Sequence, residues 1–161
     1  MNRSWQRPLF RVFGLLPRWA RDRLIGWSSP AHRVGVVGHV RDEDGRVLLV
    51  RHSYRPGWGL PGGMLGWSER PRDAVTRELW EECGIRTRHN GRPLPVYTHR
   101  PRRIMLVYDL RLQPDVGPDD AVPSSPEIEM VRWFAPAELD DLDLSRTASL
   151  ILTELSAGSP F

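Results

Sequence analysis

The spacing between Gly63 and Ile85 constrains this chain more than any other feature. The window GMLGWSERPRDAVTRELWEECGI follows the pattern G-x5-E-x7-R-E-L-x-E-E-x-G-I. Such a pattern has to fold as a loop that runs into a helix. Pro71 suits a first helical turn, where its missing N–H would be unpaired anyway. Ser68 is the expected N-cap, and Asp73 puts negative charge where the helix dipole favours it. Gly84 supplies a left-handed stop. A helix over roughly residues 70–83 is therefore predicted.

At about 100° per residue, Glu78, Glu81 and Glu82 share an arc of about 100° on that helix. Val75, Leu79 and Cys83 form the adjoining apolar stripe, expected to face a sheet. Ala74 falls on the carboxylate side one turn earlier, where its small side chain leaves room. Carboxylates at i, i+3 and i+4 repel by roughly 0.2–0.5 kcal/mol per pair. One reading is a plain solvated face, with Arg86 as an ordinary surface partner of Glu82. The other is a divalent cation that removes the repulsion; oxygen-only ligands suit Mg²⁺ or Mn²⁺. The preceding loop favours the cation. Trp58-Gly59-Leu60-Pro61-Gly62-Gly63 carries three glycines in six residues, which allow unusual dihedrals and close backbone approach. A pyrophosphate and its metals need that approach.

These residues resemble the signature of the Nudix hydrolase family, which the window matches without a gap. The resemblance implies an α/β fold, a Nudix-type α/β/α sandwich with a central mixed β-sheet. It implies hydrolysis of a diphosphate linkage: water attacks one phosphorus and a phosphate-bearing group leaves. Arg77 would orient its acidic neighbours, and Glu69 would pair with it to hold the loop against the helix. Glu78, Glu81 and Glu82 would supply metal ligands, Glu82 the firmer of the paired glutamates. The implied cofactor, Mg²⁺ or Mn²⁺, neutralises charge on bridging oxygens and lowers the pKa of the attacking water. Relatives recruit one more acid before the last strand, as ligand or general base. Glu127 and Glu129 occupy that region, with Asp119 and Asp120 as weaker candidates. Ser68 and Gly66 depart from the commonest form of the signature, and Trp67 between them is expected to cover apolar surface.

Outside the box, Gly62 and Gly63 are the expected backbone contacts to substrate. Arg100, Arg102 and Arg103 form a basic cluster able to grip phosphates by paired hydrogen bonds, or an exposed loop run. Trp58 and Tyr54 offer surfaces for stacking a base, although stacking and core packing look alike in sequence. His52 and His99 are proton-carrier candidates, each more ordinarily a polar residue.

Composition removes whole chemistries. All 23 basic residues are arginine, which excludes a Schiff-base lysine and a phosphate-loop lysine. Nucleotide chemistry then has to run through metal and arginine. The single cysteine, Cys83, excludes an internal disulfide and fits a reducing, cytoplasmic setting. The net charge of +3 is uneven: residues 1–33 carry seven arginines against Asp22 alone. The basicity thus sits in an N-terminal extension, and nucleic acid is not the expected partner.

Two segments follow from the patterning: residues 1–30, a basic, aromatic-rich helical extension, and 31–158, the hydrolase domain. The extension's apolar run, 8–27, is too short and too interrupted by arginine to cross a bilayer or act as a secretory signal. Its aromatic side is expected to pack on the domain or on a second subunit, which makes a homodimer an open expectation. Contact with an anionic membrane surface is the less favoured alternative. Val34–Val40, Val47–Val50, Arg103–Leu112 and Glu127–Phe134 read as strands, with a hairpin turn at 41–45 and a loop over 113–126. Pro136–Leu139 opens a short helix and Leu144–Leu155 forms a terminal one.

The expected function is hydrolysis of a nucleoside diphosphate linked to another moiety: a nucleoside triphosphate, a nucleotide sugar or an ADP-ribose-like compound. The alternatives are a non-catalytic nucleotide-sensing module and an RNA 5′-end pyrophosphohydrolase. The intact glutamate set speaks against the first, and the placement of the charge against the second.

Overall fold

The computed structural model describes residues 16–17, 19–20, 23, 33–98 and 103–158. Residues 1–32 form one compact unit and residues 33–161 another. The helical pattern expected over residues 8–27 falls mostly outside the described residues. Among those described, no helix is long and apolar enough to cross a membrane.

Among the described residues, seven strands and two α-helices build the larger unit. In order they are β1 (Arg33–Arg41), β2 (Val47–His52), β3 (Trp58–Gly59), α1 (Pro71–Cys83), β4 (Thr87–His89), β5 (Leu94–Tyr97), β6 (Arg103–Leu112), β7 (Ile128–Phe134) and α2 (Arg146–Ser156). The strands form one mixed sheet in the order β3-β2-β1-β6-β4, with β5 also on β6 and β7 on β2. β1 and β6 run parallel from Arg33↔Arg103 to Arg41↔Arg111; the other pairs are antiparallel.

Alternation along the central strands sorts the core into two layers. Val36, Val40, Leu48 and Val50 pack with Val75, Leu79 and Cys83 of α1. Val37, Val47, Leu49 and Val107 pack with Ile151 of α2 on the opposite side. The architecture is an α/β/α sandwich, as expected. Ala74 is wholly buried in the α1 layer, so its small size serves helix–sheet packing.

One departure positions the site. The expected hairpin of β1 and β2 pairs only at Arg41↔Val47. Further along β1 the glycine loop takes β2's place, with Val36 N–H donating to Gly63 O at 2.9 Å and Gly38 N–H to Pro61 O at 2.9 Å. Leu65 N–H returns a bond to Val34 O at 3.1 Å. A loop pinned this way is rigid, although nothing in its sequence reads as strand.

Helix ends show smaller differences. The N-cap position of α1 is Arg70, which makes no side-chain cap bond; Ser68 instead adopts a positive φ of 59° in the approach loop. Gly84 ends α1 in the left-handed conformation, with its N–H on Trp80 O. Ser145 caps α2, its Oγ accepting from Ala148 N–H at 3.3 Å. Pro136–Asp141 is a 3-10 turn.

Candidate active site

Gly62 sits where no other residue fits, and Gly63 where a side chain would press on an acid of α1. Gly62 has φ +142°, and a side chain there would collide with Val36 O. A Cβ on Gly63 would stand 2.5 Å from the Glu78 carboxyl. The loop backbone therefore lies directly against two acids of α1. Gly62 N–H donates to Glu82 Oε2 at 2.8 Å, and Glu82 is buried.

Arg77 organises the remaining acids. Its Nε donates to Glu69 Oε1 at 2.9 Å and its Nη2 to Glu69 Oε2 at 3.2 Å. Nη1 reaches Glu81 Oε2 at 2.9 Å, and Nη2 also reaches Glu78 Oε1 at 2.9 Å. Glu69 in turn accepts Gly66 N–H at 3.0 Å, so one guanidinium ties loop to helix. Hydrogen bonding to Glu69 first, then to Glu78 and Glu81, holds Arg77 still further in its charged form. The Arg77 bond, with that from Gly66, lowers the Glu69 carboxyl below its ordinary value. Glu78 moves the other way: burial raises it, Arg77 opposes, and the charges of Glu82 and Glu81 add to the rise.

The donor set suits a hard cation in chemistry, since Glu78, Glu81 and Glu82 offer only carboxylate oxygen. Glu78 and Glu82 are drawn out of water next to each other, an arrangement that a divalent charge would relieve. Among the described residues no three acidic, histidine or cysteine side chains are gathered as a closed cage, because Glu81 lies on Arg77.

Two residues beyond α1 complete the surroundings of Glu82. His52, buried at the end of β2, places Nε2 at 3.6 Å from Glu82 Oε1. Arg55 Nη2 lies against the same ring, 2.8 Å from Nε2 and 3.1 Å from Nδ1. Tyr54 stands edge-on to His52 at 5.4 Å between centroids. Burial, opposed by Arg55 and helped by a hydrogen bond to Glu127, raises the Tyr54 phenol. Sequence reasoning ranked His52 no higher than an ordinary polar residue and missed Arg55. Neither has a local signature; only the fold of β2 onto α1 identifies them.

The other expected residues are scattered. Glu127 interacts with Tyr54, whose ring stands beside His52. Glu129 pairs with Arg51 at 3.1 Å, and Arg51 points to the opposite sheet face from its neighbour His52. Trp58 packs edge-on against Phe134 at 4.8 Å in the α2-side core. Arg103 Nη2 approaches Met64 Sδ at 3.4 Å, while Arg102, Arg100 and His99 lie outside the described residues. Asp119 and Asp120 sit in a 3-10 turn, where Asp120 Oδ2 accepts Gly117 N–H at 2.7 Å. Arg86 pairs with Asp115 at 2.6 Å instead of Glu82. Trp67, expected to cover apolar surface, is fully exposed in the approach loop, one residue before Ser68 and its positive φ.

A cavity of about 60 Å³ lies behind Gly62 and Gly63, lined also by Arg55, Arg103, Ser145 and Thr147. Two larger clefts, about 800 and 790 Å³, lie elsewhere on this unit and contain none of the α1 acids.

Comparison with known proteins agrees with this geometry. Residues 31–154 match the NUDIX domain. The chain is 35% identical over 133 residues to a MutT-like protein of Streptomyces ambofaciens, covering 83% of each. It is 40% identical over 78 residues to nucleoside diphosphate-linked moiety X motif 6 of Homo sapiens, covering 45% of this chain and 24% of the human protein. An ADP-ribose pyrophosphatase from Streptococcus suis superposes with a TM-score of 0.61 at 25% identity, over 80% of this chain and 95% of that one.

Proposed function

Because the chain belongs to the NUDIX family of pyrophosphohydrolases, we propose that it is a divalent-metal-dependent hydrolase of a nucleoside diphosphate linked to a second moiety. A nucleoside triphosphate, a nucleotide sugar and ADP-ribose are the candidates for the whole substrate. One observation carries the reading. Arg77 bonds Glu69, Glu78 and Glu81 while Gly62 N–H fixes Glu82, so the signature acids are tied to one another and to a loop whose Gly62 conformation only glycine adopts.

In this reading Glu78, Glu81 and Glu82 hold Mg²⁺ or Mn²⁺, which when bound supplies Lewis acidity toward the diphosphate oxygens and the attacking water. The protein's own part is orientation. Arg77 fixes three carboxylates relative to one another, and Glu69 anchors Arg77 to the loop. The Gly62–Gly63 backbone leaves the anhydride room to approach. Arg103 and Arg55 present positive charge on the far side of that backbone, where a phosphate oxygen would be received. Glu127 is the acid best placed to assist from outside α1.

The test is Glu82→Gln with a panel of nucleoside triphosphates, nucleotide sugars and ADP-ribose, assayed with Mg²⁺ and Mn²⁺ and read by product mass. The variant should fold and release no phosphate-bearing product above background. Wild-type turnover in Glu82→Gln, or a wild-type protein inert to the whole panel, would refute the proposal; the second result would favour a sensing module.

A further inference from the structure

His52 is only 4% exposed, and two charged groups meet at its ring. Glu82 Oε1 stands 3.6 Å from Nε2, beyond a good hydrogen bond. Arg55 Nη2 is 2.8 Å from that same Nε2 and 3.1 Å from Nδ1. A guanidinium can only donate, whereas a carboxylate needs a donor. The ring edge that Arg55 occupies is therefore the edge that Glu82 also faces, and the two compete for it. Among the described residues, Glu82 has one firm side-chain anchor, Gly62 N–H at 2.8 Å on Oε2.

Arg55 has a second surface. It lines the cavity of about 60 Å³ behind Gly62 and Gly63, together with Arg103, Ser145 and Thr147. That space is far below the ~300–1,000 Å³ of sites for drug-sized ligands. Val37, Leu60, Met105, Ala148 and Ile151 line the rest of it, so its polar side chains are two arginines and two hydroxyls, a set that suits a single phosphate-sized anionic group.

We propose that His52 is a positioning residue for the Glu82 carboxylate, and that Arg55 couples it to an anionic group of the substrate. An anion in the cavity takes the Arg55 guanidinium away from the ring, and the imidazole then donates from Nε2 to Glu82 Oε1. Both Glu82 oxygens are then fixed, one by the loop and one by β2, only when substrate is present. The inference rests on Glu82 being a metal ligand.

The experiment measures Mn²⁺ affinity by the electron paramagnetic resonance signal of free Mn²⁺, with sodium sulfate as the anion probe and chloride at matched ionic strength as control. Wild type should bind Mn²⁺ several-fold more tightly in sulfate than in chloride. Arg55→Ala should show no such difference. His52→Leu should weaken Mn²⁺ binding in sulfate by about 10-fold or more, the usual cost of losing an outer-shell partner. His52→Gln, which keeps an N–H donor, should recover most of that loss. Equal sulfate effects in wild type and Arg55→Ala overturn the coupling, and wild-type affinity in His52→Leu overturns the positioning. If His52→Leu does not give a wild-type circular dichroism spectrum, the Gln and Ala variants decide. Glu82→Gln separates the two levels. Unchanged Mn²⁺ binding there refutes the metal reading itself, whereas lost binding beside normal His52 variants refutes only this inference.

Discussion

Arg77 is the residue on which the acids depend, because one planar guanidinium meets three carboxylates at 2.9 Å each. A lysine keeps the charge but is a point donor on a flexible stem, so it cannot span that set. Arg77→Lys is therefore expected to lower kcat by about 10- to 100-fold while leaving the melting temperature near wild type; steady-state kinetics beside a thermal melt check both halves. Asp109 shows a different use of charge. Burial works against its ionisation, yet hydrogen bonds from His39, Arg41 and Asn90 prevail and hold its carboxyl down to about 2. Arg41 reaches Asp109 Oδ2 at 2.9 Å and Asn90 reaches it at 2.6 Å. A carboxyl depressed on folding contributes stability that is present above its unfolded value, about 3.9, and is lost as pH falls toward the folded one. The contribution is on the order of 2–3 kcal/mol at neutral pH. Urea unfolding at stepped pH should show the gap between wild type and Asp109→Asn closing between about pH 4 and pH 2; a gap constant over that window would contradict the assignment.

Among the elements, the pairing of the glycine loop with β1 matters most, since it brings Gly62 and Gly63 onto the acids of α1. Gly63 has ordinary backbone angles, so an alanine there meets only the Glu78 carboxyl, 2.5 Å away. Gly63→Ala should cost about 1–3 kcal/mol by overpacking and lose most activity. Gly62→Ala, strained in φ and set against Val36 O, should lose more in a urea midpoint. The order of those two midpoints is the check, and equal values would mean that the loop can move off β1. Much of this was legible beforehand. The α1 spacing and the Gly84 stop can be read from residues a few positions apart, because helical geometry turns local spacing into shared faces, while the Glu69–Arg77 pair was implied by the family resemblance alone. The strands β3, β4 and β5 could not be read: two to four residues carry too little alternation, and Pro95 sits within β5. The loop-for-strand substitution on β1 was equally hidden, since its cause is a long-range backbone register. The same limit explains the site. Glu78, Glu81 and Glu82 lie on one element and were visible, whereas His52 and Arg55 come from β2 and the loop after it. Glu129 looked equivalent to Glu127 until a register shift of β7 on β2 between Arg51 and His52 placed it beside Arg51.

For the molecule as a whole, the proposed cation at the acids of α1 would link folding to ion binding. A folded domain that gathers carboxylates binds a cation that the unfolded chain cannot, so the ion adds RT ln(1 + [M]/Kd) to stability. At 100 times Kd the gain is about 2.7 kcal/mol, and a domain of this size should melt higher by several degrees. The gain should be specific in three ways. Mg²⁺ and Mn²⁺ should produce it where an equal ionic strength of sodium does not, because general screening acts on exposed pairs and only weakly on a buried one such as Glu82. A chelator should reverse it without unfolding the sandwich, since the two core layers packed by α1 and α2 are held by apolar side chains. Glu82→Gln should shrink the shift, while an exposed acid far from α1, such as Glu154, can be replaced without changing it. Thermal melts of wild type, Glu82→Gln and Glu154→Gln with Mn²⁺, sodium and chelator supply the comparison. An identical Mn²⁺ shift in Glu82→Gln would place the stabilising ion somewhere other than the flank of α1.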